Sequence, residues 1–450
     1  MYRLITILIL SGGILLQVSA QEPGSFSQYE TETYRYYLEG NWDGLIRTGK
    51  EAIREGMDYY YLRMRMGIAY YSKKNYRRAA HHFTRALQLN HQDPAALEYL
   101  YYCRVYTGQQ DQAALLRKQF RGDLALKLPS PGPAFFDRAG LEYLYCQGLN
   151  RDIVNNPLDH ISPAAPGVQY ITTGFSNVSL SLSNAIAPGI SLDHAYTGLA
   201  KNNLYYYFDG INRYYTTGQQ VRQHQYYFSP RFTTASGLQF IPVFHLVRLR
   251  YQVFVDSGTG YQGGSGMTLD FTEPDHFFLT GLALVQRIGP VDLHLGGYYS
   301  DLNHTKQLQN RIGLTWYPLG NLNLYAGGFA NSLYETGTGE GVLRLIPEIL
   351  IGFSMAEKAW IELGASAGEM ENYTENFGAI IYNSYGEMPG KKARLSVSVP
   401  VSKKGSMLYL GGLWSAYRSW FMPFDPVLAD PGHAITYQTF SIYGGISWKF

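Results

Sequence analysis

Two periodicities divide the chain. From about residue 26 to residue 128 the apolar positions recur every three to four residues, as on one face of a helix; beyond residue 136 they alternate with polar ones. The alternation is clearest at residues 439–450. Phe440, Ile442, Gly444, Ile446, Trp448 and Phe450 fall on one face there, and Thr439, Ser441, Tyr443, Gly445, Ser447 and Lys449 on the other. Residues 392–401 set Ala393, Leu395, Val397, Val399 and Val401 against Arg394, Ser396 and Ser398. Residues 138–149 place Ala139, Leu141, Tyr143 and Tyr145 together, and residues 291–297, 311–316, 343–351 and 360–367 read alike. These stretches predict strands that are apolar on one face only. The run Leu128-Pro129-Ser130-Pro131-Gly132-Pro133 stops the last helix. Residues 21–128 are therefore expected to form a helical domain, residues 129–136 a linker and residues 137–450 a sheet.

The helical part repeats. A shift of 34 residues aligns Tyr36 with Tyr70, Tyr37 with Tyr71, Asn41 with Asn75, Trp42 with Tyr76 and Ala52 with Ala86. In the best unit, residues 60–93, the small and aromatic residues Gly67, Tyr70, Ala79, Phe83 and Ala86 resemble the packing positions of tetratricopeptide repeats. The flanking units match less well: Tyr101 stands where a small residue is expected. The resemblance implies three helical hairpins with a concave face formed by the first helix of each. Its groove positions fall on Glu30, Tyr34, Tyr37, Tyr61, Met64, Ile68, Tyr71, Glu98, Tyr102, Val105 and Tyr106. This surface is aromatic rather than basic, and the Lys and Asn positions by which some relatives clamp a peptide carboxylate are absent. Packing of the same tyrosines within the stack is the competing assignment. The basic cluster Lys73, Lys74, Arg77 and Arg78 at a helix turn reads as a solvated face.

In the second part, turns of two kinds alternate. Short ones fall near residues 186–189, 235–237, 288–290, 318–321, 356–358 and 403–405, longer ones near 201–219, 253–274, 371–389 and 421–434. Bacterial outer-membrane barrels have short periplasmic turns and long external loops, and a terminal aromatic-rich strand ending in Phe resembles their assembly signal. The resemblance implies an antiparallel barrel of about 14 strands, within a range of 12 to 16, whose last strand engages the barrel assembly machinery. A cation facing lipid at mid-membrane costs roughly 2–4 kcal/mol. Asp292, His294, Arg311, Arg344, Glu348, Glu362 and Arg394 are accordingly expected to face the lumen, where the mixed signs suit ion pairs better than strong ion selectivity.

Composition adds a compartment. Arg3, the apolar run from Leu4 to Leu16 and Val18-Ser19-Ala20 have the form of a cleaved signal peptide over residues 1–20, with no Cys after it for a lipid anchor. Tyr numbers 40, Gly 48 and charged residues 16%. That balance excludes a helical membrane protein, and the Tyr-rich character resembles outer-membrane proteins of the Bacteroidetes group. A net charge of +2 gives no case for nucleic acid. Cys103 and Cys146 are too few for a disulfide framework and are expected to be structural.

No zinc motif, phosphate loop or calcium loop occurs, so no metal or cofactor is implied. The Gly-rich residues 257–266 lack strand-to-helix context and read as an external loop. Ser191, Asp193 and His194 share one strand, but adjacent residues point to opposite faces, which argues against a lipid-modifying enzyme. Two functions remain. The repeats recruit a periplasmic protein to a barrel acting as conduit or anchor, or, in a layout similar to poly-N-acetylglucosamine exporters, they feed a glycan to it.

Overall fold

The computed structural model describes residues 25–128, 134–256, 267–336, 341–356, 358–383, 385–402, 405–425, 427 and 434–450. The expected leader, the centre of the Pro-rich linker, the Gly-rich loop 257–266 and the turn residues 403–404 lie outside them.

Helices α1 (Phe26–Glu39), α2 (Trp42–Arg54), α3 (Tyr60–Ser72), α4 (Tyr76–Leu89), α5 (Pro94–Tyr106), α6 (Gln110–Arg117) and α7 (Gly122–Lys127) form the first domain. Equivalent residues start equivalent helices. The Asn41 side chain accepts from Gly44 N and that of Asn75 from Arg78 N, while Asp93, followed by a first-turn Pro94, caps α5. From α1 to α6 each helix packs on the next, α1 also on α3, and α3 on α5. Close approach needs small residues: a Cβ on Gly67 would lie 2.6 Å from the Phe83 ring. Leu45, Ala52, Leu62, Met66, Ala79, Phe83 and Ala86 are wholly buried between the helices.

The sheet comprises β1 (Ala134–Gly148), β2 (Gly167–Ala187), β3 (Ile190–Phe208), β4 (Arg213–Thr233), β5 (Leu238–Asp256), β6 (Asp275–Ile288), β7 (Val291–Ser300), β8 (Lys306–Trp316), β9 (Leu324–Thr336), β10 (Val342–Met355), β11 (Ala359–Ala367), β12 (Glu387–Pro400), β13 (Met407–Ser419) and β14 (Ile435–Lys449). Each is antiparallel to its neighbours in sequence. β1 pairs with both β2 and β14, so that Leu141 lies between Leu180 and Ile446 and the sheet closes as a 14-stranded barrel. Two short strands, Met267–Phe271 on β5 and Met422–Pro423 on β2, hang outside this ring.

Faces follow the alternation. Leu295, Ile312, Leu345, Ile349, Leu410 and Ile442 are exposed on the outside, while Gln309, Asn331, Lys392, Thr439 and Ser441 are buried inside. An apolar exterior around a polar interior inverts the arrangement of a soluble domain. Among the described residues no helix is long and apolar enough to cross a membrane. Cys103 and Cys146 are buried free thiols.

Three expectations need correction. The chain near residues 201–219 is not a long loop: β3 and β4 run on to Phe208 and Arg213, joined by a tight turn. There the Asp209 carboxylate accepts from the backbone N–H groups of Ile211 and Asn212. The segment expected as an external loop over residues 371–389 instead folds into the barrel. Its strands Tyr373–Glu375 and Ile380–Tyr382 form a separate hairpin inside the ring. Third, Arg77 does not lie on a solvated face; it is buried against the barrel.

Candidate functional site

The barrel interior has two unlike halves. On the side of β8 to β12 it is filled. Arg311 donates to Glu348 at 2.7 Å and to Asn331 at 3.1 Å, with the Phe329 ring 4.0 Å from its guanidinium carbon. Glu362 accepts from Tyr325 at 2.8 Å and Arg394 at 3.0 Å, and Arg344 lies 3.5 Å from Glu335 and Glu371. Of the remaining residues assigned to the lumen, His294 is 3.2 Å from Thr315 Oγ1, and Asp292 sits at the short-turn mouth.

The inner hairpin leans on this half and is held by side chains that the sequence did not single out. Gln309 brackets Thr374, donating to its carbonyl at 2.8 Å and accepting from its N–H at 3.0 Å. His245 donates through Nδ1 to the Gly378 carbonyl at 2.7 Å, and Asn383 donates to Gln223 at 2.8 Å. Lys392 donates to both oxygens of Glu375 at 2.7 Å. Glutamines alternating with apolar residues look the same whether they face water or a plug.

On the other side, between β1 to β6 and the hairpin, lies a cavity of about 670 Å³. A one-residue bulge at Thr173 shapes it, because the β2–β3 register shifts between Thr172 and Gly174. Below the bulge Phe175, Asn177 and Ser179 line the cavity; above it the parity reverses, and Tyr170 and Thr172 do so. The pairing of β1 with β2 stops at Gln147–Gly174, which leaves the Thr172 N–H without a strand partner. Glu387 supplies one at 3.0 Å and also accepts from Thr172 Oγ1 at 2.7 Å, from Lys201 and from Tyr437. This buried network closes the wall where the sheet does not.

The helical domain covers the short-turn end. Arg77 donates to both carboxylate oxygens of Asp292, at 2.7 and 3.2 Å, and to the Gly289 carbonyl at 3.2 Å, while the Tyr317 ring lies 3.7 Å from its guanidinium carbon. Its backbone N–H meets the Gly320 carbonyl at 2.9 Å, and Asn321 donates to the Lys74 carbonyl at 2.9 Å. Further round the rim, Thr233 donates to Asp111 at 3.0 Å and Gln112 to the Ala235 carbonyl at 3.2 Å. The turns near Ala235, Gly289 and Gly320 thus grip α4 and α6.

The expected groove residues divide into exposed and packed ones. Tyr34, Tyr61 and Tyr106 are 49%, 63% and 44% exposed, whereas Met64 is buried in the helical core. Tyr37 packs edge-on against Trp42. Tyr71 meets Tyr76, Tyr99 and Tyr106 with centroids 5.3, 5.0 and 6.4 Å away, Tyr106 meets Tyr76 at 4.9 Å, Tyr102 stacks on Tyr106, and Glu98 pairs with Lys127 at 2.6 Å. Arg65 lies over Tyr34 and donates to Glu30, whose carboxyl it holds below the usual range. His82, buried beside Arg63, is pushed down to about 3.

Asp193 bonds Ser183 and Arg231 inside the barrel, and His194 lies near Tyr226 across the strand pair. Among the described residues no group of three His, Cys, Asp or Glu side chains could hold a metal.

No family model matches the chain, and no curated protein does. Among solved structures, the chain is similar to a mutant of the TodX monoaromatic hydrocarbon channel lacking S2 and S3, at 8% identity and a TM-score of 0.41, over 74% of this chain and 95% of that one. It is similar to a FadL homologue of Pseudomonas aeruginosa, at 8% identity and 0.41, over 70% and 90%. The translocator domain of the Neisseria meningitidis autotransporter NalP matches at 10% identity and 0.30, over 77% and 99%. At these values the likeness assigns no family.

Proposed function

We propose that this is an outer-membrane transport protein: a barrel whose lumen is a closed conduit, with a tetratricopeptide-like domain on its periplasmic mouth that receives a partner. The exposed apolar band along the strands suits a bilayer, and the short turns that carry the helical domain belong on the periplasmic side in such barrels. The observation that carries the reading is the seat of Arg77 among Asp292, Gly289 and Tyr317. It places a folded domain across one mouth of a barrel that holds a 670 Å³ cavity. Whatever leaves the lumen on that side has to pass α4 and α6, and Tyr34, Tyr61 and Tyr106 are the aromatic surface available to a periplasmic partner.

Planar-bilayer recordings of the full chain and of a form lacking residues 21–128 test this. The full chain is expected to stay closed and the truncated form to conduct. If neither conducts, the barrel is a filled anchor for an envelope assembly. The inner hairpin, pinned by Gln309, His245 and Lys392, is the observation that favours this second reading.

A further inference from the structure

The cavity between β1 to β6 and the inner hairpin has an unusual chemistry for a space of its size. Eight of its lining residues are Asn or Gln and six are Tyr, against four charged ones: Lys201 pairs with Glu387, Asp275 lies 3.4 Å from His304, and Glu142 stands on β1. The strand register sets the polar groups out in rows across three strands. Ser179, Thr197 and Gln225 lie side by side, and the next row is Asn177, Leu199 and Gln223. Above them the Tyr170 and Tyr385 rings line the cavity with centroids 6.4 Å apart, and Tyr205 and Phe254 stack in series behind Tyr170 at 5.0 and 4.9 Å.

Carboxamides both donate and accept, as hydroxyl groups do, and a wall rich in them selects neutral ligands carrying many of both. Tyrosine rings add a flat apolar face at low entropic cost. Several of these polar groups are not used by the protein. Asn177 Oδ1 and Asn203 Oδ1 are buried without a hydrogen-bond partner, although Asn203 Nδ2 donates to Gln219 at 2.9 Å. A ligand hydroxyl that reached either oxygen would supply the missing partner.

We propose that the cavity is a binding site for a neutral saccharide of one to three units, seated against the Tyr170 ladder and read by Asn177, Asn203, Gln223 and Gln225. An apolar hydrocarbon would leave these amides unsatisfied. The volume lies within the roughly 300–1,000 Å³ of small-molecule sites. The proposal rests on the reading of the barrel as a conduit and names what that conduit holds.

Isothermal titration of the purified full chain in detergent with maltose, cellobiose and N,N′-diacetylchitobiose tests it, with triglycine and toluene as probes of the other ligand classes. Saturable binding of at least one disaccharide is expected. It should weaken at least tenfold in Asn177→Leu and in Gln225→Leu, both of which keep side-chain volume near that of the native residue, with thermal unfolding unchanged. Gln225→Asn should retain more affinity than Gln225→Leu. No heat from any disaccharide at 10 mM overturns the proposal, as does disaccharide binding indifferent to both Leu variants, or binding of triglycine or toluene alone. A barrel that conducts on truncation but takes no disaccharide overturns this inference and leaves the conduit standing.

Discussion

Arg77 of α4 and Asp292 of β7, 215 residues apart in sequence, share two hydrogen bonds of 2.7 and 3.2 Å at the mouth of the barrel. Their side chains are 2% and 7% exposed, so removing one partner strands the other away from water. Arg287, at 3.9 Å, is the other cation near the carboxylate. Arg77→Met should loosen the helical domain by about 2–4 kcal/mol, read as faster hydrogen exchange in α4 and in the turn at residues 318–321. Arg77→Met with Asp292→Leu should recover part of the loss, because the deeply buried carboxylate is then gone and only Arg287, 18% exposed, keeps a charge there. Exchange identical to the parent in the single variant would show that the pair does not hold the two domains together.

Gly320 makes that approach possible. Its φ is +67°, and a Cβ there would lie 1.9 Å from Asn75 Oδ1, the group that caps α4. Gly320→Ala should displace the cap and weaken docking by about 1–3 kcal/mol. Asn75→Gly introduced into Gly320→Ala should cost less than it does in the parent. A double-mutant cycle on the helical unfolding transition measures the coupling, and simple additivity would sink the argument.

The helical domain should be acid-sensitive. His82 is pushed down to about 3 by burial and by Arg63, whereas an unfolded histidine titrates near 6.5. Below that value the unfolded chain takes up a proton that the folded one refuses, so stability falls as the pH drops from about 6.5 toward 3. By pH 5.5 the loss is about 1 kcal/mol. Thermal unfolding followed at 222 nm should show this slope, and His82→Gln should flatten it.

The inner hairpin depends on Gln309. Gln309→Leu leaves both the N–H and the C=O of Thr374 without their partner in a buried site, a penalty of about 2–4 kcal/mol for the pair. Hydrogen exchange over residues 372–382 should accelerate while β8 itself stays protected. Equal protection in variant and parent would mean that Lys392 and His245 suffice.

Period located the repeat helices and marked strands such as β7, β10, β12 and β14. The alternation at Phe440, Ile442 and Trp448 marks the outward face of β14, and the repeat of Asn41 at Asn75 marks two helix caps. Where the sequence misled, the deciding interaction was remote. Arg77 sits in a basic run that looks solvated, and only the distant Asp292 makes it an interface residue. The bulge at Thr173 reverses which residues of β2 face inward, so a strict alternation carried through it assigns Tyr170 and Thr172 to the wrong side. The inward hairpin was equally hidden. Nothing in residues 371–389 distinguishes a loop that leaves the barrel from one that enters it, because the partners Gln309, His245 and Gln223 lie on three other strands.

The closure of β1 on β14 also sets an order of events. The helices make contacts between neighbours in sequence and can form early, whereas the seam of the barrel joins Arg138 to Lys449 and waits for the last residues of the chain. Until that seam zips, both edges of the sheet stand open to wrong partners. The turns near Gly289 and Gly320 gain fixed positions only within the finished ring. On contact order the helical domain is expected to fold before its seat on the barrel exists, with Arg77 meeting water until the turns near Gly289 and Gly320 are in place.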